Sequence, residues 1–392
     1  MRRVAVPAAG AALLAISCYY SGARPVRLEE GTGRLGPAVQ VRLTAEASRV
    51  AVSSASGFKA RTGRAWQPVV LPGAVVLVAG RELKVETGGR VRLSTADTIW
   101  LEPEGEAGFG LGERKYRGSL KVFLDAQRKL AVVNVLPLEH YLYGVVPCEI
   151  GPIRQETFEA AKAQAVAARS FTLTRLNKRQ GLGHELFDSY LRDQEYQGTG
   201  RETELGRKAV DATRGEVMRY NGEPVEALYH GTCGGVTATG SQPYLRSVRD
   251  TPGHARNKPA FCSSSGNFSW QVTLSRDSLE RSLGRLAGAG RLRVSAITLE
   301  REQGSDRVRK VRVKTDRGSR FFSGTEFRFG LGLKSHWFDV KLVSRSVTIS
   351  GHGWGHGAGM CQDGAIEMAR RGYSCQQILE HYYSGVKLER LY

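Results

Sequence analysis

From Ala38 to about Leu101 the chain alternates apolar and polar residues in short runs. Val39-Gln40-Val41-Arg42-Leu43 is one, and Val69-Val70-Leu71, Val75-Val76-Leu77-Val78 and Val91-Arg92-Leu93 follow, with glycine-containing stretches between them. A period of two puts one set of side chains on one face of a strand, so these runs at hairpin spacing predict a small β-rich domain over residues 38–112. The Gly/Glu-rich stretch from Glu102 to Gly112 reads as a connector.

The pattern then changes. Strands are predicted at Ser119–Phe123 and Leu130–Val135, and a helix at about Gln155–Asn177, where Ala160, Ala161, Ala163, Ala165, Ala167 and Ala168 favour helix strongly. Phe158, Ala161, Ala165, Ala168 and Thr172 fall near one helical face, which implies a close packing contact. Later strands are expected at Val225–Tyr229, Arg291–Leu299, Val308–Thr315 and Ser346–Ser350, and two closing helices at Gly364–Arg371 and Ser374–Tyr383. Strands and helices mix without regular βαβ alternation, so the fold class is α+β.

The chain has 392 residues, enough for two or three domains, and 41% hydrophobic residues, which argues against a disordered chain. At the N-terminus, Arg2 and Arg3 precede the apolar run Val4–Ile16, too short to span a bilayer, and Ala15-Ile16-Ser17-Cys18 closes it. Residues 1–18 thus read as a signal peptide of lipoprotein type, with Cys18 as the lipidated residue and 19–37 as linker. Leu is usual three residues before such a cysteine, where this chain has Ala15, so a simple cleaved signal and a retained anchor stay open. Either cleaved form places the protein in the periplasm or cell envelope. Lys and Arg number 57 against 38 Asp and Glu, a net +19 that favours polyanions such as wall polymer or a membrane surface, or that simply solvates an Arg-rich exterior. A nucleic-acid role is disfavoured by the export signal and by the lack of any DNA- or RNA-binding motif.

Three segments carry candidate chemistry. The first runs from Asn134 to Glu149 and leads through Gly151-Pro152 into the Ala-rich helix. Glu149, in a Pro/Gly-rich turn beside apolar residues, would have a raised pKa if desolvated and would suit general-acid work. The bland alternative is an acidic residue stabilised by a helix N-terminus. The second, Gly351-His352-Gly353-Trp354-Gly355-His356-Gly357-Ala358-Gly359-Met360-Cys361-Gln362, has glycine at every other early position, which suits a tight loop more than a helix presenting two His ligands. The third, Ala227 to Thr237, carries His230 and Cys233, and His254 and Cys262 follow; this is not a standard zinc spacing, and a Cys233–Cys262 disulfide is an equal reading outside the cytoplasm.

In this order the three segments resemble the SpoIID/LytB family, the stage II sporulation protein D and amidase-enhancer type of wall proteins. The resemblance covers roughly Gly118–Tyr392 and rests on Leu138–Pro147, Glu159–Ser170, Gly351–Gln362 and the ending Ile378-Leu379-Glu380-His381-Tyr382-Tyr383-Ser384-Gly385. It implies a SpoIID-like core of mixed strands with a central Ala-rich helix as the catalytic region, residues 113–392, behind the small β domain. It further implies a lytic transglycosylase that cuts MurNAc–GlcNAc bonds of stem-peptide-free peptidoglycan strands, with the family's catalytic glutamate at Glu149 as single acid/base and no cofactor. Gln164, Arg169, Tyr196, His352, His356 and Gln362 are carried over as substrate-binding or orienting residues. The other reading the family allows is a non-catalytic wall module that stimulates an N-acetylmuramoyl-L-alanine amidase; retention of Glu149 favours the enzyme. Some members bind zinc just before the Gln-x-Tyr segment, where this chain keeps only His184 of the ligand types, so no metal is expected there. A Cys148–Cys361 disulfide near the cleft is a further expectation.

Overall fold

A computed structural model describes residues 33–43, 47–62, 69–105, 108–176, 183–189, 191–303 and 305–392. The expected signal, Cys18 and most of the linker lie outside these residues. Within them the fold is α+β. Strand alternation behaves as the sequence implies: in Ala38–Arg42, Val39 and Val41 are fully buried while Gln40 and Arg42 are not.

Two sheets dominate the N-terminal half. A seven-stranded sheet runs in the order Leu186–Phe187, Ala38–Arg42, Leu130–Pro137, Ser119–Leu124, Ile99–Pro103, Phe58–Thr62, Val69–Leu71. A six-stranded sheet is built from Arg114–Tyr116, Phe109–Leu111, Arg49–Ser53, Ala74–Val78, Leu83–Thr87 and Arg90–Thr95. The larger sheet interleaves strands from both sides of the boundary expected at 112/113, and one hydrophobic core runs from Val39 to Tyr383. The stretch read as a connector contributes the strand Phe109–Leu111.

The central strand Leu130–Pro137 is buried on both faces from Leu130 to Asn134, which explains its continuous apolar sequence. It passes directly into α1 (Leu138–Ile150) through Pro137, whose φ of −60° suits the first turn. A 3₁₀ turn at Gln155–Thr157 then leads to α2 (Phe158–Arg175). From Ala160 to Leu173 this helix is buried apart from Lys162, so it has almost no solvent face. α1, α3 (Glu204–Ala212), α6 (Gln362–Arg370) and α7 (Cys375–Tyr382) pack around it, at the close range that alanine allows.

Residues 269–352 form a second unit with its own core. Ser269–Ser275, α4 (Arg276–Leu286), Val294–Arg301, Val308–Thr315, Gly318–Ser323, α5 (Gly324–Leu331), Phe338–Leu342 and Ser346–His352 enclose Leu279, Val311, Phe327, Val347 and Ile349. Its first and last strands pair antiparallel, Ser269 opposite His352, so the unit leaves and re-enters the first core at one place.

One ion pair holds α1 to α2. Arg169 meets Glu139 with two hydrogen bonds of 2.8 Å, and both side chains are fully buried. Arg169 also donates to the Glu216 carbonyl at 3.0 Å, and Glu139 accepts the Tyr392 hydroxyl at 2.6 Å and the Gly215 amide at 3.3 Å. Removing one partner of a buried pair strands the other charge, which costs about 3–5 kcal/mol. Arg169→Met and Glu139→Gln are each expected to lower unfolding free energy by that amount in urea denaturation, and the double variant by clearly less than the sum; additive losses would show that the two charges do not act as a pair.

Candidate active site

Glu149 sits in the last turn of α1, not at a helix N-terminus. The reading as a dipole-stabilised cap therefore fails on position: at the C-terminal end the helix dipole opposes a negative charge. Glu149 is only partly exposed. Its Oε1 accepts the backbone N–H of Glu195 at 2.7 Å, and its Oε2 lies 3.5 Å from Nε2 of Gln362, a long contact that orients more than it stabilises. Burial pushes the Glu149 carboxyl up to about 7, while the Glu195 amide and the Gln362 amide pull it back and the nearby Glu195 charge adds to the rise.

The Glu195 amide is aimed by its neighbours. Gln194 is fully buried, donates to Tyr141 Oη at 3.2 Å and Thr172 Oγ1 at 2.9 Å, and accepts the Tyr229 hydroxyl at 2.8 Å. On the other side, the Tyr196 hydroxyl donates to Asn134 Oδ1 at 3.0 Å, and its ring packs on Tyr141 and Tyr116. Residue 195 is thus pinned from both sides. Gln194, Glu195 and Tyr229 were not singled out from the sequence; the only signal was that Glu195 is the variable residue of the Gln-x-Tyr segment, and a backbone donor leaves no mark on residue type.

The structure brings together Glu149, Gln164 and Gln362. Gln362 opens α6 and donates to Gln164 Oε1 at 3.3 Å as well as approaching Glu149. Gln164 is fully buried on α2, and among the described residues its Nε2 has no hydrogen-bond acceptor. A buried amide N–H without an acceptor is uncommon in a folded protein.

The other expected residues lie elsewhere or act indirectly. Arg169 is locked in the Glu139 pair and cannot reach a cleft, because α2 has no open face there for it to use. Tyr196 is 2% exposed and serves as a core anchor for the Glu195 amide. His352 ends the strand Ser346–His352, with its ring against Trp337 at 5.0 Å. His356 is exposed; its Nδ1 accepts the Ala358 amide at 3.2 Å, so its Nε2–H donates to the Tyr229 carbonyl at 2.9 Å and the ring is held neutral. Trp354 projects from the same loop, 53% exposed.

The loop's glycines are needed sterically. At Gly359, with φ of +72°, a Cβ would run into the Leu228 carbonyl. This closeness lets Tyr229–His230 pair in parallel with Met360–Cys361, which joins the second and third sequence segments. It also redirects the cysteines. Cys361 Sγ accepts the Cys233 amide at 3.2 Å, so it faces Cys233 and not Cys148, which stays apart on α1 as a free thiol. Cys233 and Cys262 are neighbours, 3.4 Å apart, but unbonded. His184 packs edge-on against Phe187.

A sequence model of the SpoIID family, described as stage II sporulation protein, matches residues 126–220. The chain is 30% identical to an uncharacterised protein of Brachyspira hyodysenteriae over 73% of this chain and 75% of that protein. It is 30% identical to the stage II sporulation protein D of Bacillus subtilis, over 69% of this chain and 78% of the relative. It is also 28% identical to the amidase enhancer of Bacillus subtilis, over 70% of this chain but 46% of that protein.

The carboxyl of Glu149 has a testable energetic signature. Its folded pKa, about 7, lies above the usual 4.5, so the folded state holds the proton between those values and stability falls as pH rises through that window. Glu149→Gln removes the cost of the charge. It is expected to be more stable than the parent at pH 8, by up to about 3 kcal/mol, and equal to it near pH 4, in urea denaturation. A Gln variant no more stable at pH 8 would mean that the carboxyl is not held near neutrality.

Proposed function

The chain belongs to the SpoIID/LytB family, and on that premise we propose that it is an exported lytic transglycosylase that cleaves the MurNAc–GlcNAc bonds of peptidoglycan glycan strands, with Glu149 as its single acid/base. The observation that carries this reading is a partly exposed carboxyl group pushed by burial up to about 7, pinned by one backbone amide and approached by the Gln362 amide, which Gln164 in turn holds. Near neutral pH such a group is available in both protonation states, which a residue that must first give and then take a proton requires.

Protonated Glu149 donates to the glycosidic oxygen as the bond to MurNAc C1 breaks through an oxocarbenium-like state. The carboxylate left behind accepts the proton of the C6 hydroxyl of the same sugar. That oxygen closes on C1 and gives a 1,6-anhydro end, so no water and no second carboxylate are needed as nucleophile or activator. Gln362 keeps Oε2 oriented, and Gln164, buried behind it, holds the Gln362 amide through its own Oε1. Half-exposed Trp354 offers an apolar face for a sugar ring beside the site's loop. The net charge of +19 suits an anionic wall matrix. Among the described residues no helix is long and apolar enough to cross a membrane; attachment, on this reading, is by lipid at Cys18.

The relative named amidase enhancer keeps a second reading in view, in which the chain binds glycan and stimulates a wall amidase without cutting. Digestion of stem-peptide-free glycan strands, with products read by mass spectrometry, separates the two. The parent protein should release fragments with 1,6-anhydroMurNAc ends, and Glu149→Gln should lower the rate by about 10²–10⁴-fold. Stimulation of an amidase that survives Glu149→Gln, with no anhydro ends from the parent, would replace the enzymatic reading. Activity should also decline as pH rises above about 7, because the first step needs the protonated acid; Gln164→Ala should reduce kcat while leaving that pH profile in place.

A further inference from the structure

Cys233, Asp250, Cys262 and Cys361 come from four separate segments and meet in the interior, with one ligand atom of each lying within 4.8 Å of all the others. All four residues are buried. We propose that they form a structural zinc site. Zinc takes four thiolate, imidazole or carboxylate ligands in a tetrahedron, with Zn–S about 2.3 Å, so neighbouring sulfurs lie roughly 3.8 Å apart. Cys233 Sγ stands 3.4 Å from Cys262 Sγ and 3.2 Å from Asp250 Oδ2. Opening these close pairs and drawing in the wider ones, none beyond 4.8 Å, produces the required shell around a single ion, and the spacing is too tight to hold a multi-iron cluster.

Two of the sulfurs accept backbone N–H groups, as ligating sulfurs commonly do: Gly235 donates to Cys233 Sγ at 3.3 Å, and Cys233 and Gly364 donate to Cys361 Sγ at 3.2 and 3.4 Å. Asp250 turns its other oxygen to the Tyr382 hydroxyl at 2.6 Å, the outer-shell hydrogen bond that commonly orients a ligating carboxylate. Among the described residues no Lys or Arg pairs with Asp250; the basic group nearest its carboxylate is the imidazole of His381, with Nε2 3.8 Å from Oδ1. A carboxylate buried among three thiols with no permanent countercharge is costly, and a divalent cation supplies one. A Cys233–Cys262 disulfide would satisfy two sulfurs and leave both Cys361 and Asp250 as they are. Soft sulfur ligands in a closed four-coordinate pocket select zinc over the harder divalent ions.

The site would also bear on the proposed catalytic centre. Cys361 is the residue before Gln362, and it caps the helix that Gln362 opens. Binding an ion there fixes the start of α6 and hence the Gln362 amide.

Elemental analysis of the full chain, purified under reducing conditions without chelator, is expected to find one zinc per molecule. Replacement of that zinc by cobalt(II) should produce thiolate-to-cobalt charge-transfer absorption and the strong visible bands of a tetrahedral site. Cys262→Ser should lose the metal, whereas Cys375→Ala, at a buried thiol outside the cluster, should keep it. Tyr382→Phe, which leaves all four ligands in place, should weaken zinc affinity by about 10–100-fold. Protein that takes up neither zinc nor cobalt would overturn the proposal, as would a Cys233–Cys262 disulfide found by mass analysis of protein recovered from its own compartment. Neither readout depends on glycan cleavage, so the metal site and the enzymatic reading stand or fall separately.

Discussion

The buried pair of Glu139 and Arg169 is the contact on which the geometry of the candidate site depends. It ties the first turn of α1 to the middle of α2, and the Gly215 amide and the Tyr392 hydroxyl close the remaining positions on the carboxylate. Buried charges of this kind add little net stability over an apolar pair of equal volume, but they tolerate only one arrangement. Here that arrangement sets the direction of α1, whose far end carries Glu149, against the helix that carries Gln164. A purely alanine interface could slide by a turn; a bidentate ion pair with its hydrogen bonds filled cannot.

Much of the architecture was legible because it follows period and propensity. The alternating runs after Ala38 became strands, the Ala-rich segment became α2, and Val308–Thr315 was found with its own bounds. α1 was missed because Gly144, Pro147 and a run of aromatic and β-branched residues argue locally against a helix. It forms because tertiary burial outweighs those preferences. The role carried over to Arg169 failed for a related reason: it needs an open face on α2, and α2 is enclosed nearly all round. For Glu149 the sequence left helix capping and desolvated acid side by side, and only its place at the C-terminal end of α1 separates them.

The cysteines show a different limit. Their spacing matches no standard ligand pattern because the cluster is assembled by tertiary contacts: the parallel pairing of Tyr229–His230 with Met360–Cys361 brings in two of them, and the 3₁₀ turn Phe261–Ser264 a third. The partner expected for Cys361 was Cys148, its neighbour by motif, whereas the fold turns Cys361 inward to Cys233. Motif proximity speaks to shared function, and side-chain pairing depends on which way each residue faces on its strand.

The unit at 269–352 interrupts the first core between Cys262 and Met360. During synthesis or translocation, the first core therefore waits for residues that arrive late. Until α6 and α7 emerge, α2 lacks two of the helices that cover it, and an alanine helix without its neighbours is only marginally stable in water. The inserted unit has adjacent ends and a core of its own, so it can collapse early and draw residues 233–262 and 360–383 into proximity. Closure of long-range contacts is the slow part of folding, and this layout shortens the effective loop. The candidate site, which joins Glu149 and Glu195 from before the insertion to Gln362 from after it, is thus completed last.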